Sequence, residues 1–184
     1  MEAVRRKWIL LFALLMPLLL TACGETVNPV ASDAPVVTHD YFEVHRDGNI
    51  YIFDDAPTYI GFLEHGTKPY SIRLGGAGPN GETVVVVLPQ KSDNRNGRID
   101  ALDLFLGKRN PSKPFYGELY IGKRIYVFNR WSELQRFKLI GEATYRYSGI
   151  DVGPNGEDVI YVLDHASDGS VPTAMMNRFH ALHG

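Results

Sequence analysis

Residues 92–103 carry the most specific pattern of oxygen-bearing side chains in the chain. Five of them are candidate ligands whose side-chain oxygens could bind a hard cation, Ser92, Asn94, Asn96, Asp100 and Asp103, and Asp93 could join them. Oxygen ligands at alternating positions suit Ca²⁺, because the backbone can wrap around one ion while a helix that opens near Asp100 supplies the last carboxylate. The segment therefore predicts a calcium site, and we expect no other cofactor.

With Gly97 as the sharp-turn sixth position, this segment resembles the calcium loop of EF-hand and dockerin-like modules. It departs from that loop at Ser92, where the family has Asp, and at Asp103, where many EF-hands have a bidentate Glu. The alternative is a plain loop in which the two asparagines and Gly97 form a turn and Asp100 starts a helix. Any metal site would exist once, since the second half of the chain keeps only Ser167 and Asp168 from this stretch.

The other residues with chemical potential form no recognisable catalytic set. None of the six histidines has the spacing of a zinc pair with a nearby carboxylate or cysteine, and His180 and His183 are the nearest approach to one. The chain has no Gly-x-Ser-x-Gly motif, and its single cysteine supports no thiol redox pair. We therefore predict that the protein is not an enzyme. A hydrolase with an unrecognised site is the alternative.

One stretch of five residues occurs twice, as residues 78–82 and as residues 153–157. At the same offset of 75 residues the alignment continues outward without a gap, with about 18 identities in roughly 70 pairs, which indicates an internal duplication. A proline before Asn-Gly is typical of a turn in both copies. A phosphate-binding loop is the alternative, although no helix start follows either glycine pair.

Four large side chains of the second half differ in type from their counterparts in the first half: Phe115, Trp131, Arg136 and Tyr147. Their counterparts are Asp40, Ala56, Gly61 and Ile72. A surface for a unique partner would arise where the halves differ, and Trp, Tyr and Arg are typical interface anchors. We predict that these four residues bind a partner, and that most other aromatic residues belong to the core or to cross-strand pairs.

Residues 1–22 are predicted to be a signal peptide. Arg5, Arg6 and Lys7 give it a positive start, and an apolar run of about 13 residues follows, too short to span a bilayer comfortably. Small residues then lead to Cys23, and the junction resembles the lipobox of bacterial lipoproteins, in which the cysteine becomes the acylated first residue. Gly24, rather than the Asp linked to inner-membrane retention, favours an outer-membrane lipoprotein that faces the periplasm.

The alternative for this segment is an ordinary signal peptide with a stray cysteine. Since Cys23 is the only cysteine, the exported domain cannot contain a disulfide. Removal of residues 1–22 leaves 16 basic and 20 acidic residues, a net charge of −4. A nucleic-acid partner is excluded, because it requires a basic face.

The mature chain is predicted to consist of a lipidated tether, residues 23–33, and two tandem homologous units of about 75 residues, residues 34–107 and 108–184. We expect an α+β fold with predominantly antiparallel β-structure, in which each unit contains β-hairpins and a short helix.

Local patterns place several elements in these units. Hairpins are predicted over residues 41–53 and 70–88, strands covered on both faces over 84–88 and 158–163, and helices over 100–107 and 173–182. Residues 132–141 are typical of a helical turn with Ser132 as N-cap. Their counterparts, residues 57–66, fit either a helix or a strand.

Residues 34–44, shortly after the lipobox, resemble the start of immunity lipoproteins that protect against type VI secreted lipase effectors. The resemblance implies a non-enzymatic periplasmic protein that binds a cognate lipase and blocks its active site or its access to the membrane. The alternative is an envelope structural or assembly lipoprotein, or a lipoprotein that binds a small ligand in a cleft between the two halves.

Overall fold

Eight strands form a single mixed sheet in the computed structural model, which describes residues 40–90 and 99–184. The strands are Tyr41–Arg46 (β1), Asn49–Phe53 (β2), Tyr70–Leu74 (β3), Thr83–Leu88 (β4), Gly117–Ile121 (β5), Arg124–Phe128 (β6), Tyr145–Gly149 (β7) and Asp158–Leu163 (β8). The α-helices are Ala56–His65 (α1), Asp100–Phe105 (α2), Trp131–Ile140 (α3) and Thr173–His183 (α4). All described residues belong to one compact unit.

The sheet runs from β3 at one edge to β7 at the other, in the order β3-β4-β2-β1-β5-β6-β8-β7. Four neighbouring pairs are antiparallel, and three pairs are parallel: β1 with β5, β2 with β4, and β6 with β8. The predicted α+β class with a mostly antiparallel sheet is confirmed. Since β1 and β5 hydrogen-bond to each other, the sheet continues without a break where the two halves of the chain meet.

The predicted hairpins are also confirmed. β1 and β2 are joined by Asp47 and Gly48, which both have positive φ, as a two-residue hairpin turn requires. β3 and β4 pair antiparallel across the first copy of the repeated stretch. All residues of β4 and β8 after the first are buried, which explains why these strands lack polar alternation.

Apolar residues on both faces of the sheet hold the four helices in place. Consecutive strand residues point to opposite faces, and Phe42 and Tyr41 of β1 accordingly belong to two different apolar clusters. The cluster of Phe42 includes residues of α1 and α4, whereas that of Tyr41 includes residues of α2 and α3. Each face is therefore covered by one helix from each half of the chain.

The helices α1 and α3 begin differently. The carboxylate of Asp55 caps α1, with Oδ1 accepting from the Thr58 backbone nitrogen at 2.8 Å and Oδ2 from the Thr58 hydroxyl at 3.0 Å. This segment is therefore a helix, not a strand. In α3 the N-cap is Arg130, which makes no side-chain cap. The prediction of Ser132 as N-cap is wrong, because helical conformation starts at Trp131 and Ser132 already lies inside the first turn.

This difference gives a matched pair of substitutions. Replacing Asp55 with alanine should lower the free energy of unfolding by about 1 kcal/mol, because two donors of the first helical turn lose their acceptor. Ser132→Ala should change it by less than about 0.5 kcal/mol. Urea unfolding of both variants checks the expectation, and equal effects of the two substitutions would contradict it.

The two copies of the repeated stretch form the same turn, as predicted. In the first, the backbone nitrogen of Asn80 donates to Glu82 Oε2 at 2.9 Å, and in the second that of Asn155 donates to Glu157 Oε2 at 2.8 Å. A Cβ atom at Gly78 would lie 2.5 Å from a Glu82 carboxylate oxygen, so the first glycine makes room for this interaction. The backbone amides of Asn80 and Asn155 thus already donate to glutamate carboxylates, which a phosphate would have to displace.

Several predicted features lie outside the described residues. These are the signal peptide and tether of residues 1–33, with the lipidation site Cys23, and three of the predicted calcium ligands, Ser92, Asn94 and Asn96.

Candidate functional site

An open cavity of about 700 Å³ lies beside the start of α3. Two segments line it, residues 110–115, which lead into β5, and residues 129–132, which join β6 to α3. We call this cavity the Trp131 pocket. Since β5 and β6 pair antiparallel, with Gly117 opposite Phe128, the hairpin brings both segments to the same end of the sheet.

Two of the predicted partner-binding residues, Phe115 and Trp131, lie together in this pocket. Their ring centroids are 5.5 Å apart with the planes at 74°, and the Trp131 ring also packs against Tyr41 at 5.4 Å. Phe115 is buried with 7% of its surface exposed, whereas Trp131 is only half-buried. Phe115 therefore belongs to the apolar floor, and Trp131 presents part of its ring to the opening.

The charged side chains that line the Trp131 pocket are basic. Lys113 is exposed, and Arg130 is half exposed while one guanidinium nitrogen pairs with Asp164 Oδ2 at 2.8 Å. In the part of the chain that the structure describes, no acidic residue lines the pocket itself. The remaining lining is apolar or carries neutral hydrogen-bonding groups.

A smaller cavity of about 320 Å³ adjoins the Trp131 pocket through Asn129, which lines both. Its wall is formed by the end of β8 and by the segment that leads into α4, including Val171 and Pro172. Val171 is 60% exposed, a large fraction for an apolar side chain. The two cavities together make a recessed surface with apolar parts at this end of the sheet.

Four residues of the pocket have counterparts of a different chemical type among the described residues of the first half. The counterparts of Phe115, Asn129, Arg130 and Trp131 are Asp40, Asp54, Asp55 and Ala56. Both Asp40 oxygens accept from Arg178 Nη2, at 2.6 and 2.8 Å, and Asp54 Oδ1 accepts from the Ala101 backbone nitrogen at 3.1 Å. Asp55 caps α1. These three acids therefore make contacts within the fold, and none of the four counterparts is aromatic.

The other two predicted partner-binding residues lie elsewhere. Arg136 is on α3, where its guanidinium pairs with Glu133 at 2.7 Å along the helix surface. Tyr147 is on the edge strand β7, 38% exposed, with its ring 6.4 Å from that of Tyr161. The structure brings Phe115 and Trp131 together and places neither Arg136 nor Tyr147 in their pocket.

A second open groove, of about 660 Å³, lies between the C-terminal end of α3 and strands β6, β7 and β8. Its charged residues are of both signs, Arg124 and Arg146 with Glu142 and Asp158. Arg124 Nε lies 3.8 Å from Asp158 Oδ2, and Arg146 donates to the Ala143 carbonyl at 2.9 Å. Local charges are therefore largely compensated within this groove.

The phenylalanine in the wall of this groove is covered differently from its counterpart in the first half. In the first half Phe62 is covered by Arg46, whose guanidinium carbon is 4.8 Å from the ring centroid, and by Lys68, whose Nζ is 5.5 Å away. In the second half the counterpart of Lys68 is Ala143, too short to cover Phe137. Phe137 thus remains in the groove wall.

The described part of the predicted calcium loop is engaged in protein contacts. Asp100 is the first residue of α2 and accepts a hydrogen bond from the Arg109 guanidinium, and Asp103 follows within the same short helix. Among the described residues, no cluster of three or more His, Cys, Asp or Glu side chains could hold a metal ion. Calcium binding by residues 92–103 stays a prediction.

Glu43, in the middle of β1, is fully buried and has three polar partners. Its carboxylate accepts from the Tyr41 hydroxyl, lies 2.6 Å from Lys138 Nζ and lies 2.6 Å from His45 Nε2. Burial by itself would raise the pKa of this carboxyl, but the His45 hydrogen bond and the Lys138 charge outweigh burial and lower the pKa below its usual range. Glu43 is therefore a buried anion held by neighbouring donors and charges.

Glu118, in β5, is the second fully buried glutamate of the two central strands. It accepts from the Tyr59 hydroxyl at 2.9 Å and the Tyr116 hydroxyl at 2.5 Å, and His183 Nε2 lies 3.0 Å away. Burial first, and then the Glu118 charge, raise the pKa values of Tyr59 and Tyr116 far above those of exposed tyrosines. Because Glu118 is opposite Phe42 in the register while Glu43 is opposite Leu119, the two carboxylates lie on opposite faces of the sheet.

The lowered pKa of Glu43 predicts an acid-sensitive fold. Its contribution to stability is complete above the pKa that the residue has in the unfolded chain, about 4.3, and is lost as the pH falls through the lower folded pKa. The free energy of unfolding should therefore fall with pH below about 4.3. Glu43→Gln should show a shallower fall in urea unfolding measured across this range, and an unchanged slope would contradict the assignment.

Sequence patterns alone give little indication that these two glutamates are buried. Each follows a tyrosine by two residues, and the pair Tyr41 and Glu43 recurs 75 residues later as Tyr116 and Glu118. That recurrence is the available signal. A glutamate in a strand normally faces solvent, however, and the helices that bury these two are distant in sequence.

None of the described helices is long and apolar enough to cross a membrane. In comparisons with known proteins, no family model, no curated protein and no solved structure matches this chain.

Proposed function

We propose that this chain is a non-enzymatic lipoprotein, anchored through Cys23 in the outer membrane and facing the periplasm, that binds and neutralises a type VI secreted lipase effector. The observation that supports the binding role is the Trp131 pocket. A half-buried tryptophan beside an open cavity with an apolar floor has the character of an interface hot spot. Export and lipidation rest on the sequence of residues 1–24.

The proposed anchor and the proposed binding role support each other. A protein held by acyl chains on the membrane stays beside the lipid that a secreted lipase attacks. Confinement to the membrane surface raises the effective concentration of the inhibitor there without any additional contact. Neutralisation then requires only that the bound protein covers the active site of the lipase or its route to the membrane.

We further propose that the chain consists of two homologous units in tandem. The bounds of α1, β3 and β4 recur 75 residues later as those of α3, β7 and β8. Identity between the units at turn and core positions, with different residues at the pocket, agrees with a duplicated scaffold of which one copy carries the binding surface. This division explains why Trp131 has no aromatic counterpart.

The proposal is tested by affinity capture from detergent-solubilised envelopes, with the full lipidated chain as bait. Envelopes are compared from cells with active and with inactive type VI secretion. We expect stoichiometric recovery of a lipase from the former, and loss of its phospholipase activity when the pure chain is added. Trp131→Ala should weaken capture by roughly thirtyfold, the effect of losing a hot-spot residue.

Two matched variants sharpen this test. Leu139→Ala removes an apolar side chain that is 88% exposed at the other end of the same helix, and capture should be unchanged. Tyr147→Ala probes the predicted residue on β7. Loss of capture with Tyr147→Ala but not with Trp131→Ala would show that the partner binds at the edge strand β7 and not at the Trp131 pocket. Recovery of envelope-assembly proteins alone, or of nothing, would overturn the proposal and favour a structural lipoprotein.

A further inference from the structure

We propose that the Trp131 pocket recognises an acidic segment of a partner protein, which inserts one aromatic or aliphatic side chain against Trp131. This inference deepens the proposed binding function and rests on it, since it names the chemistry of what the pocket receives. The occupant is a polypeptide segment. Three features carry the inference: the apolar floor, the basic rim, and the neutral hydrogen-bonding groups of the lining.

The apolar floor favours the insertion of an apolar side chain. Phe115 is buried, and Pro111 and Pro114 line the cavity beside the half-buried Trp131. An inserted Leu, Phe or Trp side chain would cover the exposed part of the Trp131 ring and gain about 1.5–3 kcal/mol from burial. The cavity of about 700 Å³ is large enough for such a side chain together with its flanking backbone.

The basic rim favours an acidic segment as the ligand. Lys113 and Arg130 flank the opening, and no acidic side chain among the described residues lines the pocket. Arg130 uses one nitrogen for Asp164, so its other guanidinium donors remain for a carboxylate of the partner. Asp164 partly compensates the charge of Arg130, so Lys113 supplies most of the positive charge that attracts an acidic segment and disfavours a basic one.

The neutral polar groups suit a peptide backbone. Asn110, Asn129 and Ser132 also line the pocket. Asparagine amides both donate and accept, which matches the alternating carbonyl and amide groups of an extended chain. A few placed polar groups in an apolar cavity fix the orientation of what binds there.

The first half supplies an internal comparison. The counterparts of four pocket residues, Phe115, Asn129, Arg130 and Trp131, are three aspartates and an alanine, and these aspartates bond to Arg178, Ala101 and Thr58 of the same chain. A site of that composition would repel an acidic segment and offers no aromatic floor. Recognition is therefore expected at the Trp131 pocket and not at these four counterpart positions.

The test is a selection of random dodecapeptides on the full lipidated chain in detergent, with Lys113→Glu and Trp131→Ala chains as parallel targets. We expect enriched peptides in which Asp or Glu residues flank a Leu, Phe or Trp. Trp131→Ala should weaken the best peptide by roughly thirtyfold, and Lys113→Glu by about fivefold or more, with an affinity that falls as salt rises. Lys123→Glu, a charge reversal in the exposed β5–β6 turn at the other end of these strands, should leave binding unchanged.

Other outcomes overturn the inference. These are selected peptides without acidic residues, equal binding to the wild-type, Lys113→Glu and Lys123→Glu chains, or no selected peptide at all. If thermal unfolding shows that Trp131→Ala is misfolded, the peptide affinities of Trp131→Phe and Lys113→Glu are used to test the inference instead. If acidic peptides are selected but no lipase is captured, the inference stands and the proposed function is rejected. If a lipase is captured but no acidic peptide is selected, the proposed function stands and the inference is rejected.

Discussion

Replacing Lys138 with methionine is expected to lower the free energy of unfolding by about 3 kcal/mol. Lys138 reaches from α3 to Glu43, and its Nζ lies 2.6 Å from the fully buried carboxylate. Removing one partner of a buried ion pair leaves the other charge uncompensated, which typically costs about 3–5 kcal/mol. The lower end applies here because the Tyr41 hydroxyl and His45 remain to hydrogen-bond Glu43.

Urea unfolding at pH 7 measures this effect, with Lys123→Met as the control because Lys123 is exposed in a turn. The double variant Lys138→Met with Glu43→Gln should recover a large part of the loss, since the neutral amide no longer needs a cation. If Lys138→Met alone changes the free energy of unfolding by less than about 1 kcal/mol, the Glu43 site is open to water and the ion pair contributes little.

Replacing Glu118 with alanine should destabilise the protein by about 3 kcal/mol or more. Three groups would lose their acceptor at once: the hydroxyls of Tyr59 and Tyr116, and the imidazole of His183. Each buried polar group left without a partner costs about 1–3 kcal/mol. Among the described residues every buried side-chain nitrogen and oxygen has a hydrogen-bond partner, so the three groups would stand out as unsatisfied.

The loss of stability in Glu118→Ala should be greatest around α4, because His183 connects the last turn of that helix to β5 through its contact with Glu118. Hydrogen exchange is expected to speed up in residues 173–183 of Glu118→Ala before it does so in β4. Tyr59→Phe removes one donor only and should cost about 1 kcal/mol. Glu142→Ala, at an exposed position, serves as the control, and an effect as large as that of Glu118→Ala would contradict the assignment.

The local elements could be predicted because their signals are local. Asp47 and Gly48 between β-branched and aromatic residues predict the first hairpin, and the unbroken apolar runs predict β4 and β8 as buried strands. The start of α3 was missed by two residues, since Ser132 is a favoured N-cap type while Arg130 is not.

The arrangement of the site depends on contacts that no local pattern encodes. The parallel pairing of β1 with β5 joins residues about 75 positions apart, and it places helices from different halves on the same face. Phe115 and Trp131 meet because the β5–β6 hairpin aligns their segments, a relation that sequence spacing alone did not reveal. The burial of Glu43 and Glu118 follows from the same long-range packing.

The pairing of β1 with β5 also determines what half of this chain would do by itself. A first half made alone would end its sheet at β1, whose backbone groups would lose their partners along one side. Such an edge recruits another strand, and a second copy of the same half could supply its own β1 in the parallel orientation that β5 has in the whole chain. Isolated halves are therefore expected to self-associate through this edge. In the intact protein the linking peptide makes that encounter intramolecular, at an effective concentration in the millimolar range, so the sheet closes within one molecule before a neighbour can add to it.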